Sequence, residues 1–304
     1  MNPAPTREPA REPAREPARE PAQRRTAPAR LSQRTVAIGA LVAALLLTVH
    51  WYAWTRTGLS VTALAEGWQG IWHFLFGRDE TLPNGHHVTT EGAFPIDTSW
   101  GQTIQPGIGY CLLTVCIGLM GTTLSIPASM IFAVMGSRTT NRFAPMFWLA
   151  RALMSVLRAV PETVYALMFI AAVGFGAFPG VVALAVHNVA VMGKLWSEAM
   201  DEVDQGPVEA LRSAGASGYQ TAVHAVLPAV LPSLLGLLLY RFDTNVRSSV
   251  ILGTVGAGGI GFYIKQSVSG FRFDTMMTYM CQVVVLVILI DLLSVWLRKR
   301  LALG

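Results

Sequence analysis

A polar stretch of the chain carries residue types whose spacing suits contact with another protein. The stretch covers residues 198–228 and separates two strongly apolar segments. Asp204 stands before an early proline, whose missing amide donor costs a helix start nothing, and helix-forming residues continue to Gly215. Ser217 suits the N-cap of a second helix over 218–226. Two short helices that meet at a glycine form a compact knob that can seat in a groove of a partner.

A second group of chemically active residues is ionisable and lies in or beside apolar segments. A charge inside a bilayer is costly, so such residues usually face protein or water and often mark a solute path. Asp243 and Arg247 are four residues apart and can pair on one helix face. A cationic lining for an anionic solute would favour Arg158, Arg241 or Arg247. The candidate residues for a pore or substrate path are Arg158, Glu162, Arg241, Arg247, Gly256, Gly258 and Gly259.

The glycines of this set belong to residues 256–261, which satisfy the pattern G-x-G-x-x-G. A dinucleotide site with this pattern needs a preceding strand, a following helix and an acidic residue about 20 positions on, all in a soluble βαβ unit. Here the pattern lies among apolar segments. Close approach of two backbones, near the pore or its outer mouth, is the expected role.

Motifs for catalysis are absent from the sequence. Gly193-Lys194 is followed by leucine, so no Walker phosphate loop exists, and neither G-x-S-x-G nor H-E-x-x-H occurs. We expect no enzyme activity and no cofactor in this chain, so energy must come from a partner or an ion gradient. His86 and His87 are adjacent, but a metal site needs converging ligands, and none is expected.

The composition describes a membrane protein. Of the 304 residues, 52% are hydrophobic and only 13% are charged, and several stretches reach the roughly 20 apolar residues that a spanning helix needs. Most aromatic residues lie in or beside apolar runs, which excludes a groove for nucleic acid. We expect an all-α polytopic bundle in contact with membrane lipid. Its six spans are about 35–54, 107–135, 161–175, 181–195, one that starts near 228, and 276–296.

Three regions are expected along the chain. Residues 1–34 repeat Arg-Glu-Pro-Ala four times, and a proline at every fourth position forbids a regular helix, so this tail should be extended and solvated. Residues 35–105 hold the first span and an external segment, in which 64–76 suits a helix on the membrane surface. Residues 106–300 form the transport core, in which 143–160 suits a half-inserted elbow helix. Leu227 and Pro228 should end the second helix of the knob.

Positive charge near the span ends indicates the orientation. Eight arginines precede Thr35, two lie in the turn 136–142, and three basic residues occupy 298–300. With six spans, all three flanks fall on one side, which should be the cytoplasm. Both termini and the knob then lie in the cytoplasm of a bacterial cell, and residues 56–105 lie outside the plasma membrane.

The spacing of the polar stretch resembles the cytoplasmic coupling loop of the permeases of ABC importers. That pattern reads E-A-A, three residues, G, nine residues, I-x-L-P. Glu209, Ala210 and Gly215 fall in register, and so does the Leu-Pro pair. Leu211 replaces the second alanine of the pattern, and Ala225 replaces its isoleucine. The coupling residues implied by the resemblance are Glu209, Ala210, Leu211, Gly215, Tyr219, Leu227 and Pro228.

Further residues look like the phosphonate-type branch of these permeases, and the resemblance covers about 105–300. They are 158–162, 245–248 and the glycine pattern 255–261. The resemblance implies a type I importer permease that forms a homodimeric pore. It also implies two separate cytoplasmic ATPase subunits, which hold ATP and Mg²⁺, and an external solute-binding protein. Substrates in that branch are phosphonates, phosphite or phosphate.

Rival functions remain open. A permease for another small solute, such as an amino acid, would share the coupling loop. An ion-driven secondary transporter would need inverted repeats or paired broken helices, and no convincing halves are visible in the sequence.

Overall fold

The computed structural model describes residues 33–57, 60–81 and 87–301. The helices that precede the knob are α1 (Gln33–Thr57), α2 (Val61–Phe76), α3 (Gln105–Gly136), α4 (Ala144–Ala159), α5 (Glu162–Val173) and α6 (Ala177–Asp201). The remaining helices are α7 (Gln205–Ser213), α8 (Gly218–Thr221), α9 (Leu227–Thr254), α10 (Ile260–Ser269) and α11 (Phe273–Leu301). Helix α1 belongs to one compact unit that reaches Ala65, and the residues from Glu66 onward form a second unit. Of the predicted tail 1–34, all but two residues lie outside the described ranges.

By length and composition, five stretches of the described residues can cross a membrane, and a bent pair can supply a sixth span. The bent pair is α4 and α5, whose axes differ by 79°. The bend follows from Pro161, because a proline disfavours helical geometry at the residue before it. The prediction of an all-α membrane protein with about six spans is confirmed. A helix over most of 143–160 that ends in a sharp bend is observed, and its half-inserted position stays a prediction. The five stretches are Gln33–Thr57, Trp100–Gly136, Ala177–Asp201, Gly218–Thr254 and Phe273–Arg300.

Small residues bring α3 and α6 together. A Cβ atom added at Gly121 would lie 2.7 Å from the Cβ of Leu184, and one at Gly193 would lie 3.0 Å from the Cβ of Phe132. Such close approach is how helices associate where lipid removes the hydrophobic drive between them. Hydroxyl groups along the buried face of α3 bond to carbonyls of their own helix, as the 2.7 Å bond from Thr122 Oγ1 to the Gly118 carbonyl shows.

The glycine pattern after α9 packs its backbone against the turn between α5 and α6, and this close approach was expected. Gly256, Gly258 and Gly259 have φ angles of 109°, 77° and 72°, in the region that favours glycine. The carbonyl of Gly256 accepts a 3.1 Å bond from the amide of Gly176, in the turn between α5 and α6. A Cβ at Gly259 would lie 2.6 Å from Thr114 Oγ1. The close backbone approach is therefore observed, and a place near the pore stays a prediction.

The segment before α3 forms more structure than the sequence analysis predicted. Helix α2 covers the expected 64–76, and an antiparallel hairpin of β1 (Arg78–Thr81) and β2 (His87–Thr90) follows it. Asp97 then accepts a 2.9 Å bond from the Ser99 amide, while its own carbonyl accepts a 2.7 Å bond from Thr278 on α11. Hydrogen bonds from the Ser99 side chain and then from Thr103 hold the pKa of Asp97 below its usual value.

One expected boundary is wrong. Leu227 and Pro228 do not end the second helix of the knob, because 218–254 is one continuous helical stretch. A π-turn over Ala222–Val226 joins α8 to α9, and the amide of Leu227 donates to the carbonyl of Ala222, five residues earlier. Pro228 then occupies the first turn of α9, where the lack of an amide hydrogen costs the helix little stability. The polar segment after the glycines also folds further than expected, since most of it forms α10.

The glycine contact predicts a stability difference between two helical glycines. A Cβ at Gly261 would collide with the Val250 carbonyl, whereas one at Gly236 on α9 meets nothing within 4 Å. Gly261→Ala should therefore lower the free energy of unfolding by about 3 kcal/mol. Gly236→Ala should raise it by about 0.5–1 kcal/mol, because alanine is the better helix former. Thermal unfolding in detergent compares the two, and equal melting temperatures would contradict the packing described here.

Candidate coupling site

The first helix of the knob begins and ends at the residues that the sequence indicates. The side chain of Asp204 caps α7 by accepting a 3.1 Å bond from the Gly206 amide. At the other end Gly215 adopts a φ of 86°, its amide bonds to the Arg212 carbonyl at 3.0 Å, and the Ala216 amide bonds to the Leu211 carbonyl at 3.0 Å. This pair of bonds is a Schellman motif, which satisfies carbonyls that the helix end leaves free.

The second helix begins with a reciprocal cap. The Gln220 amide donates to Ser217 Oγ at 3.3 Å, and the Ser217 amide donates to Gln220 Oε1 at 2.8 Å. Both bonds together form a capping box, which fixes the angle at which the chain enters the helix. Only one residue, Ala216, separates the Gly215 stop from this start. The knob is therefore stiffened at its corner by hydrogen bonds on both sides.

One face of the knob is buried against the membrane-spanning helices. Val208 on α7 is fully buried, in a cluster with Trp196 and Met200 at the end of α6. Leu211 and Leu227 pack against the same cluster. These two predicted coupling residues therefore hold the knob to the core and do not form its free surface.

The opposite face of the knob is free in this chain. Glu209, Ala210 and Gly215 are exposed, and no atom outside the local backbone lies within 4 Å of a Cβ built at Gly215. Tyr219 is 78% exposed, which is unusual for so large a ring. Pro228 is exposed as well, at the base of α9. The predicted coupling residues thus divide into a buried anchor and an exposed surface suited to a partner.

A carboxylate that the sequence analysis missed, that of Asp201, joins the elements next to the knob. Asp201, at the end of α6, accepts bonds at 2.7 Å from Ser137 Oγ, 2.8 Å from the Arg138 amide and 3.2 Å from the Thr139 amide. Its other oxygen pairs with Arg151 of α4 at 3.1 Å. One residue therefore ties α6 to the turn between α3 and α4 and to α4 itself.

The knob is joined to this same turn. Arg212 of α7 donates a 2.6 Å bond from Nη2 to the Thr139 carbonyl. Thr139 therefore gives its amide to Asp201 and its carbonyl to Arg212, so the carboxylate and the knob share one residue. The presence of Arg151 in an otherwise apolar segment was the available sequence signal for this cluster. The partners of Asp201 lie 50 to 64 residues away along the chain, which no local pattern reveals.

The predicted pore residues are not gathered in one place. Arg158 is exposed at the end of α4, and Glu162 is partly buried at the start of α5. Arg247 pairs with Asp243, as predicted, and lies 3.8 Å from Asp291 of α11. The three glycines lie beyond the end of α9 that is remote from the knob.

Arg241 alone among the predicted arginines is buried in the helix core. It is 8% exposed, and its Nη2 donates a 2.6 Å bond to Asn188 Oδ1 of α6. Glu162 is near enough to act electrostatically on both Arg241 and His187. The structure thus places Glu162 and Arg241 around His187. Exposed Arg158 also acts electrostatically on that ring, and Arg247 lies apart, paired with Asp243.

With this geometry in view, comparison with known proteins decides the family. The model of the family described as "Binding-protein-dependent transport system inner membrane component" matches residues 125–303. The chain belongs to this family. The phosphite transport system permease protein PtxC of Stutzerimonas stutzeri is 35% identical over 261 residues, which are 86% of this chain and 87% of that protein.

Two further similarities place this permease. The phosphate-import permease protein PhnE of Mycolicibacterium smegmatis is 41% identical over 188 residues, which are 62% of this chain and 35% of that protein. An inward-facing structure of the MetNI methionine ABC transporter aligns with a TM-score of 0.56 and 23% identity, covering 68% of this chain and 99% of that chain. At that identity the structural likeness shows the fold alone.

The comparisons confirm the resemblance to type I importer permeases. This chain is a multi-pass transport subunit, not an enzyme, and the ATPase of such a system is a separate chain. Permeases of ABC importers work with ATPase subunits and a solute-binding protein. Because the ATPase is a separate chain, the permease needs a surface on which that chain can act. An exposed, stiff knob provides such a surface.

The Asp201 cluster predicts which ion pair of this permease matters for stability. Asp201→Ala leaves a largely buried Arg151 and three donors without their acceptor, so the free energy of unfolding should fall by about 2–4 kcal/mol. Glu198→Ala removes a pair with Lys194 in which Glu198 is 46% exposed, and it should cost less than about 0.5 kcal/mol. Thermal unfolding in detergent measures both. Equal losses would mean that Asp201 does not organise this end of α6.

Proposed function

We propose that this permease forms the membrane pathway of an ATP-driven importer for phosphite, phosphonate or phosphate. The observation that carries the proposal is the 35% identity to a phosphite permease over 86% of the chain. The 41% identity to a phosphate-import permease over a shorter stretch agrees with it. A buried arginine in the helix core suits an anionic cargo, because a cation at membrane depth attracts anions and repels cations.

Two copies of the chain form the pathway, and two ATPase subunits dock on the cytoplasmic side. A solute-binding protein delivers the cargo from outside. Both termini lie in the cytoplasm. The basic flanks before residue 35, at 136–142 and at 298–300 support this orientation. The bond from Arg212 to Thr139 adds support, because it puts the knob at the same end of the molecule as the basic turn.

The exposed face of the knob, formed by Glu209, Ala210, Gly215 and Tyr219, seats in a groove of the ATPase subunit. ATP and Mg²⁺ bind in that subunit, and its closure moves the knob. Because Val208 and Arg212 fix the knob to α6 and to the turn after α3, the movement passes to the spans as a rigid-body rotation. The pathway then opens alternately to the two sides of the membrane. Arg158, Glu162, Arg241, Arg247 and the glycines 256, 258 and 259 remain the proposed residues along it.

The cargo can be tested by uptake into proteoliposomes that hold the permease, its ATPase subunits and its binding protein. Uptake of radiolabelled phosphate should depend on ATP and should be displaced by phosphite or by methylphosphonate. Methionine should not compete, since the MetNI likeness concerns the fold alone. Competition by methionine, with none by the phosphorus compounds, would replace this cargo with an amino acid.

The exposed face of the knob can be tested separately from the cargo. Tyr219→Ala removes an aromatic ring that makes no buried contact in the free chain, so the melting temperature should stay unchanged. If the ring anchors the ATPase subunit, uptake should fall by about tenfold or more, and less ATPase should co-purify. Tyr52→Ala is the matched control, because Tyr52 is 60% exposed on α1 and lies outside the knob. Similar losses in the two variants would argue against a docking role for the knob.

A further inference from the structure

Arg241 holds a permanent positive charge midway between the ends of α9. Its burial is nearly complete, at 8% exposure. A charge buried in a membrane-spanning bundle usually finds an opposite charge, because desolvation is expensive. Within the described part of the chain, no carboxylate lies within 4 Å of the Arg241 guanidinium. Its charge is therefore not neutralised by direct ion pairing.

The Arg241 guanidinium donates its hydrogen bonds to neutral amide oxygens instead. Arg241 donates to Asn188 Oδ1 from Nε at 3.0 Å and from Nη2 at 2.6 Å, and Nη2 also reaches Asn245 Oδ1 at 3.4 Å. The Nδ2 of Asn245 donates to Thr122 Oγ1 at 2.7 Å, and that hydroxyl donates to the Gly118 carbonyl. The network joins the middle of α3, α6 and α9.

Chemistry decides the direction of every bond in this network. A guanidinium only donates, so both amides must turn their oxygens toward Arg241. The nitrogen of Asn188 is therefore a donor by necessity, and it has no hydrogen-bond partner although the residue is fully buried. No acceptor for Arg241 Nη1 is found among the described residues either. A buried donor without an acceptor costs stability, and the Nδ2 of Asn188 is such a donor.

The other predicted arginines are not buried cations held by neutral amides. Arg247 is half exposed and shared between Asp243 and Asp291, and Arg158 lies at the surface. Glu162 acts on Arg241 electrostatically but makes no direct pair with it. Among the described residues, only the Arg241–Asn188 pair combines a buried cation with a neighbouring amide that can still donate. That combination matches an oxyanion, which brings both negative charge and acceptor lone pairs.

We propose that Arg241 and Asn188 form a contact site for an oxygen of a tetrahedral phosphorus oxyanion on its way through the permease. The proposal rests on the proposed function, which supplies the class of cargo. It makes Arg241 and Asn188 specificity-determining residues within the membrane. The low exposure of Arg241 means that the conformation described here holds this site closed to bulk water.

The decisive variant is Asn188→Asp. A carboxylate at this position keeps both acceptor bonds to Arg241 and adds an ion pair, so a purely structural network would be preserved or strengthened. The same change replaces the free donor with a negative charge that repels an oxyanion. ATP-driven uptake of radiolabelled phosphate into proteoliposomes that hold the complete transporter should fall by about tenfold or more. The melting temperature should stay near the wild-type value, because the hydrogen bonds to Arg241 are kept.

Gln69→Glu is the matched control, because it adds the same charge on the exposed surface of α2, and uptake should change by less than about twofold. Wild-type uptake by Asn188→Asp would overturn the site. If Asn188→Asp fails to assemble, Arg241→Lys decides, since an ammonium lacks the planar fork that serves both asparagines. Arg241→Lys should then lower phosphate uptake, and unchanged uptake would overturn the proposal.

The same measurements separate this site from the proposed function. A wild-type transporter that takes up phosphate, with variants that do so equally well, defeats the site and leaves the function standing. A wild-type transporter that carries none of phosphate, phosphite and methylphosphonate defeats both.

Discussion

Polar groups within the apolar helices must find their partners inside the protein, and this constraint governs the structure from end to end. Hydrocarbon offers no hydrogen bonds, so an unpaired group at membrane depth is expensive. Thr122 meets the constraint twice, through the Gly118 carbonyl and through Asn245 on α9. Small residues such as Gly121 let α3 and α6 come close enough for partners to meet. Tight packing and polar pairing are therefore two results of one requirement.

The two ends of α9 satisfy their backbone groups in different ways. At the knob, helix ends are closed by the Schellman motif at Gly215, the capping box at Ser217 and the carboxylate of Asp201. At the far end the chain instead runs through glycines with positive φ, whose backbone packs directly on another turn. Between them, the 28 residues of α9 span about 42 Å. Helix α9 thus links the hydrogen-bonded knob at one end to the close-packed glycine turn at the other.

The sequence predicted what short-range chemistry decides. Asp204, Gly215 and Ser217 act through residues one to five positions away, and each lies where it was expected. The helix end expected at Pro228 is not observed, because a π-turn bonds each amide to a carbonyl five residues earlier and so carries the helix on into α9. The presence of a proline does not predict such a turn. The bonds that Ser137 donates to Asp201 and Arg241 donates to Asn188 span 64 and 53 residues. Such pairs depend on which helices become neighbours, so a sequence without a fold cannot supply them.

The arrangement of these long-range pairs limits how the protein can move. Asp201 and Arg212 bind α6, α7 and the turn after α3 at one end, so these parts move together or lose several charge-assisted bonds at once. The bonds from Arg241 to Asn188 cross from α9 to α6 at half the length of both helices. A separation of α6 from α9 would strip the guanidinium of its main acceptor within the apolar region. Such a movement is therefore favourable only if water or an anion replaces that acceptor, which couples opening of the helix pair to what enters it.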